Sequence, residues 1–190
     1  MSRDRTQLHP EVQAALLKLE AECKRQELKV LFTDCFRTQA EQQALYDQGR
    51  TKPGSVVTNV RFPDSAHNWG VAVDFCQNIR GHEYDDAAFF KNVGTIAKKF
   101  GFTWGGDWTG FVDRPHLEYT KFMPNSSTAW LKKKYKTPDA FRKTWGKVET
   151  EPDYAAEVCE KLGLSPATRD YIDNYRYADD LWEKIWKGLK

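Results

Sequence analysis

"SAHNWGVAVDF", Ser65 to Phe75, sets His67 and Asp74 seven residues apart around Gly70. Read as a strand over 71–75, it sends Val71, Val73 and Phe75 to one face and Ala72 and Asp74 to the other, because successive side chains alternate. Gly70 lets the backbone turn between the two polar residues, and the small Ala72 leaves the Asp74 face open for a bound group. A carboxylate in such apolar company needs a partner or a cation. What completes the site has to come from elsewhere in the chain.

The chain has four histidines. His9, in a helix-entry turn, and His82, in the polar loop "RGHEYDD", read as solvent-exposed. His116 opens the strand "HLEYT" directly after "FVDRP", where Pro115 fixes the backbone before it. His67, Asp74 and His116 then make a set of two imidazoles and one carboxylate. Three protein ligands and a water are the usual build of a catalytic zinc site, and zinc lowers the pKa of that water to about 7. Such chemistry also needs a base. Asp113, three residues before His116, and Glu118, two after it on the same strand face, are the candidates. An Asp-x-x-His pair joined by a proline turn favours Asp113. As purely structural residues, Asp113 would cap a turn and Glu118 would pair with a lysine. Trp69, Trp104 and Trp108 fall in loops beside the ligands, either as substrate-binding walls of a cleft or as local core.

The elements around this set follow from periodicity. "HPEVQAALLKLEAECKRQEL" is a helix with Val12, Ala15, Leu16, Leu19 and Cys23 at helical spacing. "KVLFTDCF" is a short buried strand. "TQAEQQALYDQG" is a second helix, with Thr38 as N-cap, Glu41 at capping-box spacing and Gly49 as the stop. The polar, turn-rich "RTKPGSVVTNVRFPDSA" leads into the opening stretch. A helix over 86–99, a strand near 102–104 and the loop "GGDWTGFVDRP" precede the last strand. Without a βαβ rhythm, this predicts an α+β domain over 1–120, a small mixed sheet with flanking helices.

"KFMPNSST" reads as a linker, and the basic "WLKKKYKTPDAFRKTWGK" continues it, so 121–150 is expected to be a basic linker segment. Lys132, Lys133, Lys134, Lys136, Arg142, Lys143 and Lys147 there face the single acid Asp139. They form either a solvated face or a contact for an anionic polymer. Residues 151–190 read as a small helical module. Tyr154, Val158 and Leu162 form one stripe before Gly163. A further helix opens on Ser165 and Pro166, and Tyr171, Tyr175, Ala178, Trp182, Ile185 and Leu189 have the spacing of a helix–helix seam.

With 190 residues there is room for one core and a small appendage. Lys and Arg total 29 against 27 Asp and Glu, which removes any general argument for nucleic acid as a partner. No stretch approaches the roughly 20 apolar residues of a membrane span, so a membrane role is not expected. The start, "MSRDRTQLHPEV", lacks the apolar core of a signal peptide. The expectation is synthesis in the cytoplasm, with any work outside the cell needing another exit route. Cys23, Cys35, Cys76 and Cys159 are scattered without a CxxC pair. This argues against a zinc ribbon or thioredoxin-type site, and Cys35 and Cys76 read as small buried hydrophobes.

"FRTQAEQQALYDQGR", "SAHNWGVAVDF", "GFTWGGDW" and "DRPHLEY" occur in the order seen in VanY-type zinc peptidases. Over residues 8–120 the chain most resembles the L-alanyl-D-glutamate peptidases of bacteriophage endolysins. The resemblance implies a Hedgehog/D-Ala-D-Ala peptidase-like fold in which His67, Asp74 and His116 bind Zn²⁺ and Asp113 is the general base. It implies that Arg37 contacts the substrate and polarises the scissile carbonyl, and that Ser65 lies by the substrate. The implied partner is bacterial peptidoglycan, cut in its stem peptide at L-Ala-D-Glu by a lysin made in the host cytoplasm and released to the wall. Two departures stand out. Cys35 replaces a glycine common in related chains, and Asp113 stands where many members outside the endolysins carry glutamate. By analogy the C-terminal module binds the cell wall, where the lysine cluster would meet anionic wall polymers. The rivals are a D-alanyl-D-alanine carboxypeptidase or dipeptidase with the same metal site, and a non-catalytic cell-wall-binding protein.

Overall fold

In the computed structural model, which describes residues 4–146, 154–173 and 178–189, the first helix forms over Pro10–Arg25 (α1). Val12, Ala15, Leu16, Leu19 and Cys23 are all buried along it. Val30–Asp34 (β1) follows, then Gln39–Asp47 (α2), whose start is closed by reciprocal bonds between Thr38 and Glu41. Ala72–Gln77 (β2), Ala87–Lys98 (α3), Phe102–Trp104 (β3) and His116–Tyr119 (β4) complete the sheet region. The strand order is β1-β2-β4-β3. The α+β class holds, but the sheet is antiparallel at every pairing rather than mixed. Between β3 and β4 the chain reverses within residues 105–115, a shorter path than a parallel crossover needs.

Alternation along β2 sorts its side chains. Val73 and Phe75 enter a core with Leu16 and Leu19 of α1, Phe89, Phe90 and Val93 of α3, and Leu117 of β4. Asp74 takes the opposite face. On β1, Phe32 lies opposite Phe75 and Asp34 opposite Asp74, with a bulge between them. Without the extra residue Phe32 and Asp34, two apart, would share one face. The bulge re-phases the strand, so Phe32 stays in the core while Asp34 crosses to the face of Asp74.

Residues 121–146 do not form the expected linker. Phe122 and Met123, with Leu131 of Ala129–Tyr135 (α4) and Phe141 of Pro138–Arg142 (α5), bury themselves against Ala66, Trp69, Val71 and Ala72. The compact unit that holds the sheet therefore runs through Gly146, and Lys147–Lys190 form a second. Lys133, Lys134, Lys136 and Lys143, among the lysines that suggested a linker, are exposed on the outer side of a helical hairpin. Leu131, Phe141 and half-buried Trp145 face inward, while Trp130 is exposed. Phe141→Ala should cost about 3–5 kcal/mol in urea unfolding, the range for emptying a buried aromatic site, while Lys133→Ala should be near neutral. Two neutral substitutions would restore the linker.

Gly70 closes the turn before β2 at φ +65°, and a Cβ there would lie 2.9 Å from Cη2 of Trp145 and 3.1 Å from the carbonyl of Gln7. Its own carbonyl accepts the amide of His9 at 2.8 Å. His9, expected to be exposed, is half-buried, its ring 4.5 Å from that of Phe122, 5.3 Å from Phe141 and 5.2 Å from Trp145. Its Nδ1 accepts the Glu11 amide at the start of α1. Burial lowers the His9 pKa, with Glu11 opposing and Lys121 adding to the effect. A histidine depressed in the folded state is protonated first in the unfolded chain, so its contribution to stability disappears as pH falls below about 6.5. His9→Asn keeps a capping acceptor. It should be less stable at pH 8 yet show a smaller stability loss from pH 7 to pH 5, read by urea unfolding at each pH.

The second unit packs Tyr154–Leu162 (α6), Pro166–Asp173 (α7) and Ala178–Gly188 (α8). Ala155, Val158 and Trp182 are its centre, with Ile185 and Leu189 against them. Indole Nε1 of Trp186 donates to Glu157 at 2.5 Å, and Ser165 accepts the Thr168 amide as N-cap. Lys147 and Tyr175 lie outside the described residues, as do the side chains of Tyr171 and Ala178. Among the described residues no helix is long and apolar enough to cross a membrane.

Candidate metal centre

The face of the sheet away from the main core carries a row of ionisable residues. Asp34 on β1, Asp74 on β2 and His116 on β4 lie directly opposite one another. His67 joins them from a short 3₁₀ turn, Ala66–Trp69, that runs straight into β2. Its Nδ1 lies 2.8 Å from the carbonyl of Cys35. A ring nitrogen against a carbonyl must carry the proton, so Nε2 presents a lone pair. That Nε2 is 3.3 Å from His116 Nδ1 and 3.4 Å from Asp74 Oδ1, while His116 Nδ1 and Asp74 Oδ1 are 2.8 Å apart. All three ligand atoms lie within 4.8 Å of one another.

The donor chemistry fits a cation. Two imidazole nitrogens and a carboxylate oxygen are the ligand types of zinc. Burial pulls the His116 pKa down, but its hydrogen bonds to Asp74 and Glu118 win and raise it to about 10. Asp74 is held well below the usual carboxylate range. Its burial works in the other direction, and the charges and hydrogen bonds of His67 and His116 outweigh it. Two carboxylates thus call for positive charge at His116, a demand that a divalent ion also meets.

Asp113 is half-buried at the edge of this group. Its amide donates to Gly105 at 3.0 Å and its carbonyl accepts the His116 amide at 3.3 Å, so Asp113 and His116 are the two ends of one tight turn. A Cβ on Gly105 would sit 2.4 Å from the Asp113 carbonyl, which keeps that approach for glycine alone. Burial raises the Asp113 carboxyl, and His116, Asp74, His67 and Glu118 all act on it electrostatically. Glu118 sits elsewhere, with Oε1 3.2 Å from His116 Nε2, the ring nitrogen turned away from Asp74. The lysine partner expected for a structural Glu118 is not among its described contacts.

Arg37 is buried. Its Nε and one terminal nitrogen donate to Asp34 Oδ2, the first at 3.1 Å, and the other terminal nitrogen donates to Gln42 Oε1 at 2.9 Å. Its backbone is laced to the His67 turn by its amide to the His67 carbonyl and by Asn68 Nδ2 to the Arg37 carbonyl. Asp34 and Gln42 escaped the sequence reading. The one available signal was an aspartate in an otherwise apolar strand. Ser65 is buried just before the 3₁₀ turn.

The three tryptophans part ways. Trp69 is 0% exposed, with its indole on the Pro63 carbonyl and its ring facing Phe141, and so is core rather than cleft wall. Trp104 is also core: its indole donates to the Arg114 carbonyl, and its ring fills the space beside Gly94 and Gly106. The 138–142 helix, distant in sequence, covers Trp69, and the preceding helix α3 covers Trp104. Trp108 alone stays half-buried, its ring centroid 5.3 Å from that of His116.

Comparison with known proteins locates this centre in a matched region. A family model described as D-alanyl-D-alanine carboxypeptidase matches residues 59–119, the stretch that holds His67, Asp74, Asp113 and His116. The peptidoglycan L-alanyl-D-glutamate endopeptidase CwlK of Bacillus subtilis (strain 168) is 42% identical over 128 residues, covering 62% of this chain and 75% of the relative. The L-alanyl-D-glutamate peptidase of Listeria phage A118 is 35% identical over 96 residues, 48% of this chain and 31% of that one. Among solved structures, the Serratia marcescens L-Ala D-Glu endopeptidase ChiX overlaps 65% of this chain and 87% of its own, with 17% identity and a TM-score of 0.46. The LdcB LD-carboxypeptidase overlaps 77% and 73%, with 17% identity and a TM-score of 0.49.

Proposed function

This chain belongs to the M15 family of VanY-type metallopeptidases, and from that premise we propose that it is a zinc-dependent peptidoglycan endopeptidase cutting the L-alanyl-D-glutamate bond of the stem peptide. The observation that carries this reading is the convergence of His67 Nε2, Asp74 Oδ1 and His116 Nδ1 on the sheet face beside Asp113. The names of the bacterial and phage relatives support the choice of bond.

A zinc ion held by His67, Asp74 and His116 would supply Lewis acidity for the scissile carbonyl and acidify a water. Asp113, its carboxyl raised by burial, takes a proton from the attacking water and delivers it to the leaving amine. Asp34 and Gln42 fix the guanidinium of Arg37 while occupying only part of its five donors. The remaining donors stabilise the developing oxyanion, an effect worth about 3 kcal/mol for one well-placed group. Trp108 shields one side of His116 and, with Ser65, borders the substrate. The exposed Lys133, Lys134, Lys136 and Lys143 of the hairpin attract anionic wall polymers, and residues 151–190 serve as a wall-binding module.

The rival carboxypeptidase reading draws on the description of the matched family model. Digestion of purified peptidoglycan, with new amino termini identified by mass spectrometry, separates the two. New D-glutamate amino termini support the endopeptidase. Release of terminal D-alanine alone establishes the carboxypeptidase, and no product leaves a wall-binding protein. Running the digestion on whole walls at about 0.1 M and 1 M salt reads the polymer contact, because the Debye length falls from about 10 Å to about 3 Å.

A further inference from the structure

We propose that Glu118 is a positioning residue for the metal centre: it holds His116 through Nε2, so that Nδ1 is the nitrogen presented to the ion. The inference rests on the metal reading above. An imidazole has two nitrogens, and here they face opposite ways. Nδ1 looks toward His67 Nε2 and Asp74 Oδ1, whereas Nε2 looks toward Glu118 Oε1 at 3.2 Å. When Nδ1 gives its lone pair to a metal, Nε2 must carry the proton, and a carboxylate acceptor there fixes both tautomer and ring orientation.

The sheet is built to seat this carboxylate. Glu118 is opposite Ala72 on β2 and opposite Thr103 on β3, in the row next to that of Asp74 and His116. The methyl of Ala72 leaves room beside it, and Thr103 Oγ1 donates to the Glu118 backbone carbonyl at 3.3 Å. Only 5% of Glu118 is exposed, and its Oε2 is buried without a hydrogen-bond partner among the described residues. Burying a carboxylate with half its acceptor capacity unfilled is expensive. The His116 contact is the one described interaction of that side chain which offsets the cost. The same geometry argues against Glu118 as the base, because it approaches His116 from the side away from the ligand cluster.

The test uses the full-length chain. Zinc affinity is measured by competition with a chelator for the wild type, Glu118→Gln and Asp113→Asn. Glu118→Gln should bind zinc about 10- to 100-fold more weakly, keep its fold in chelator, and recover turnover as zinc is raised. Asp113→Asn should bind zinc like the wild type. Glu118→Asp, which restores the charge on a shorter arm, should lie between the wild type and Glu118→Gln, and it carries the comparison if Glu118→Gln fails to fold. Wild-type zinc affinity in Glu118→Gln overturns the proposal, and if turnover is nevertheless lost, Glu118 is the base. A wild type that binds no zinc overturns the metal reading itself, an outcome distinct from equal binding by wild type and variant.

Discussion

His116→Ala should lose bound zinc and peptidase activity in one step, and His67→Ala should match it. Each imidazole supplies one of three protein donors, and the two that remain do not complete the ligand set that holds a catalytic zinc. Zinc per chain, measured after dialysis, should fall from near one to near zero, with hydrolysis of stem peptide falling to background. A variant with full metal and full activity would remove that histidine from the centre. Stability should follow, because an ion that binds only the folded chain stabilises it by about 2.7 kcal/mol at a hundredfold excess over Kd. The variants should therefore lose the zinc-dependent rise in melting temperature. In chelator a second effect appears. The His116 pKa is raised to about 10 in the fold, so its stabilising contribution is complete below the unfolded value near 6.5 and fades as pH climbs toward 10. The stability gap between wild type and His116→Ala, measured without metal, should narrow over that window.

Asp113→Asn should part metal from chemistry. The amide keeps the size and the turn: the Asp113 backbone, not its side chain, makes the bonds to Gly105 and His116. Zinc content and melting temperature should stay within error of the wild type. Turnover should drop about 10²–10⁴-fold, the range for losing a positioned general base. Asp113 also gives the wild type an acid limb in its pH–activity profile, with burial raising the carboxyl and a bound divalent ion lowering it. The base is needed ionised, so activity declines as pH falls through its pKa, and this limb should be missing from the residual activity of Asp113→Asn. Loss of zinc in this variant would make Asp113 a ligand, and full turnover would hand the base role to another group.

What could be read in the chain was what depends on neighbours in sequence. The Thr38–Glu41 cap, the stripe of α1 and the alternation of Val73, Asp74 and Phe75 each arise from a period of two to four residues and appear in the fold, whereas Val71, expected beside Val73, packs with Ala72 in the second cluster. His67 and Asp74 were legible together because they stand at the two ends of a single turn-and-strand stretch, and His116 because a proline turn delivers it to a strand start. Tertiary structure decided what depends on register and cover. The bulge between Phe32 and Asp34 sets which face an aspartate reaches, and only the pairing with β2 reveals it. Trp69 and Trp104 look like Trp108 in sequence, yet the distant 138–142 helix covers the first, the neighbouring helix α3 covers the second, and the third is left beside His116. The basic hairpin concealed its inward Leu131 and Phe141 among lysines, because charge marks a surface without saying what the other side rests on. Glu118 became the partner of His116 Nε2 once the ring was oriented by Asp74 across the strand, a choice between two nitrogens that no spacing in the sequence encodes.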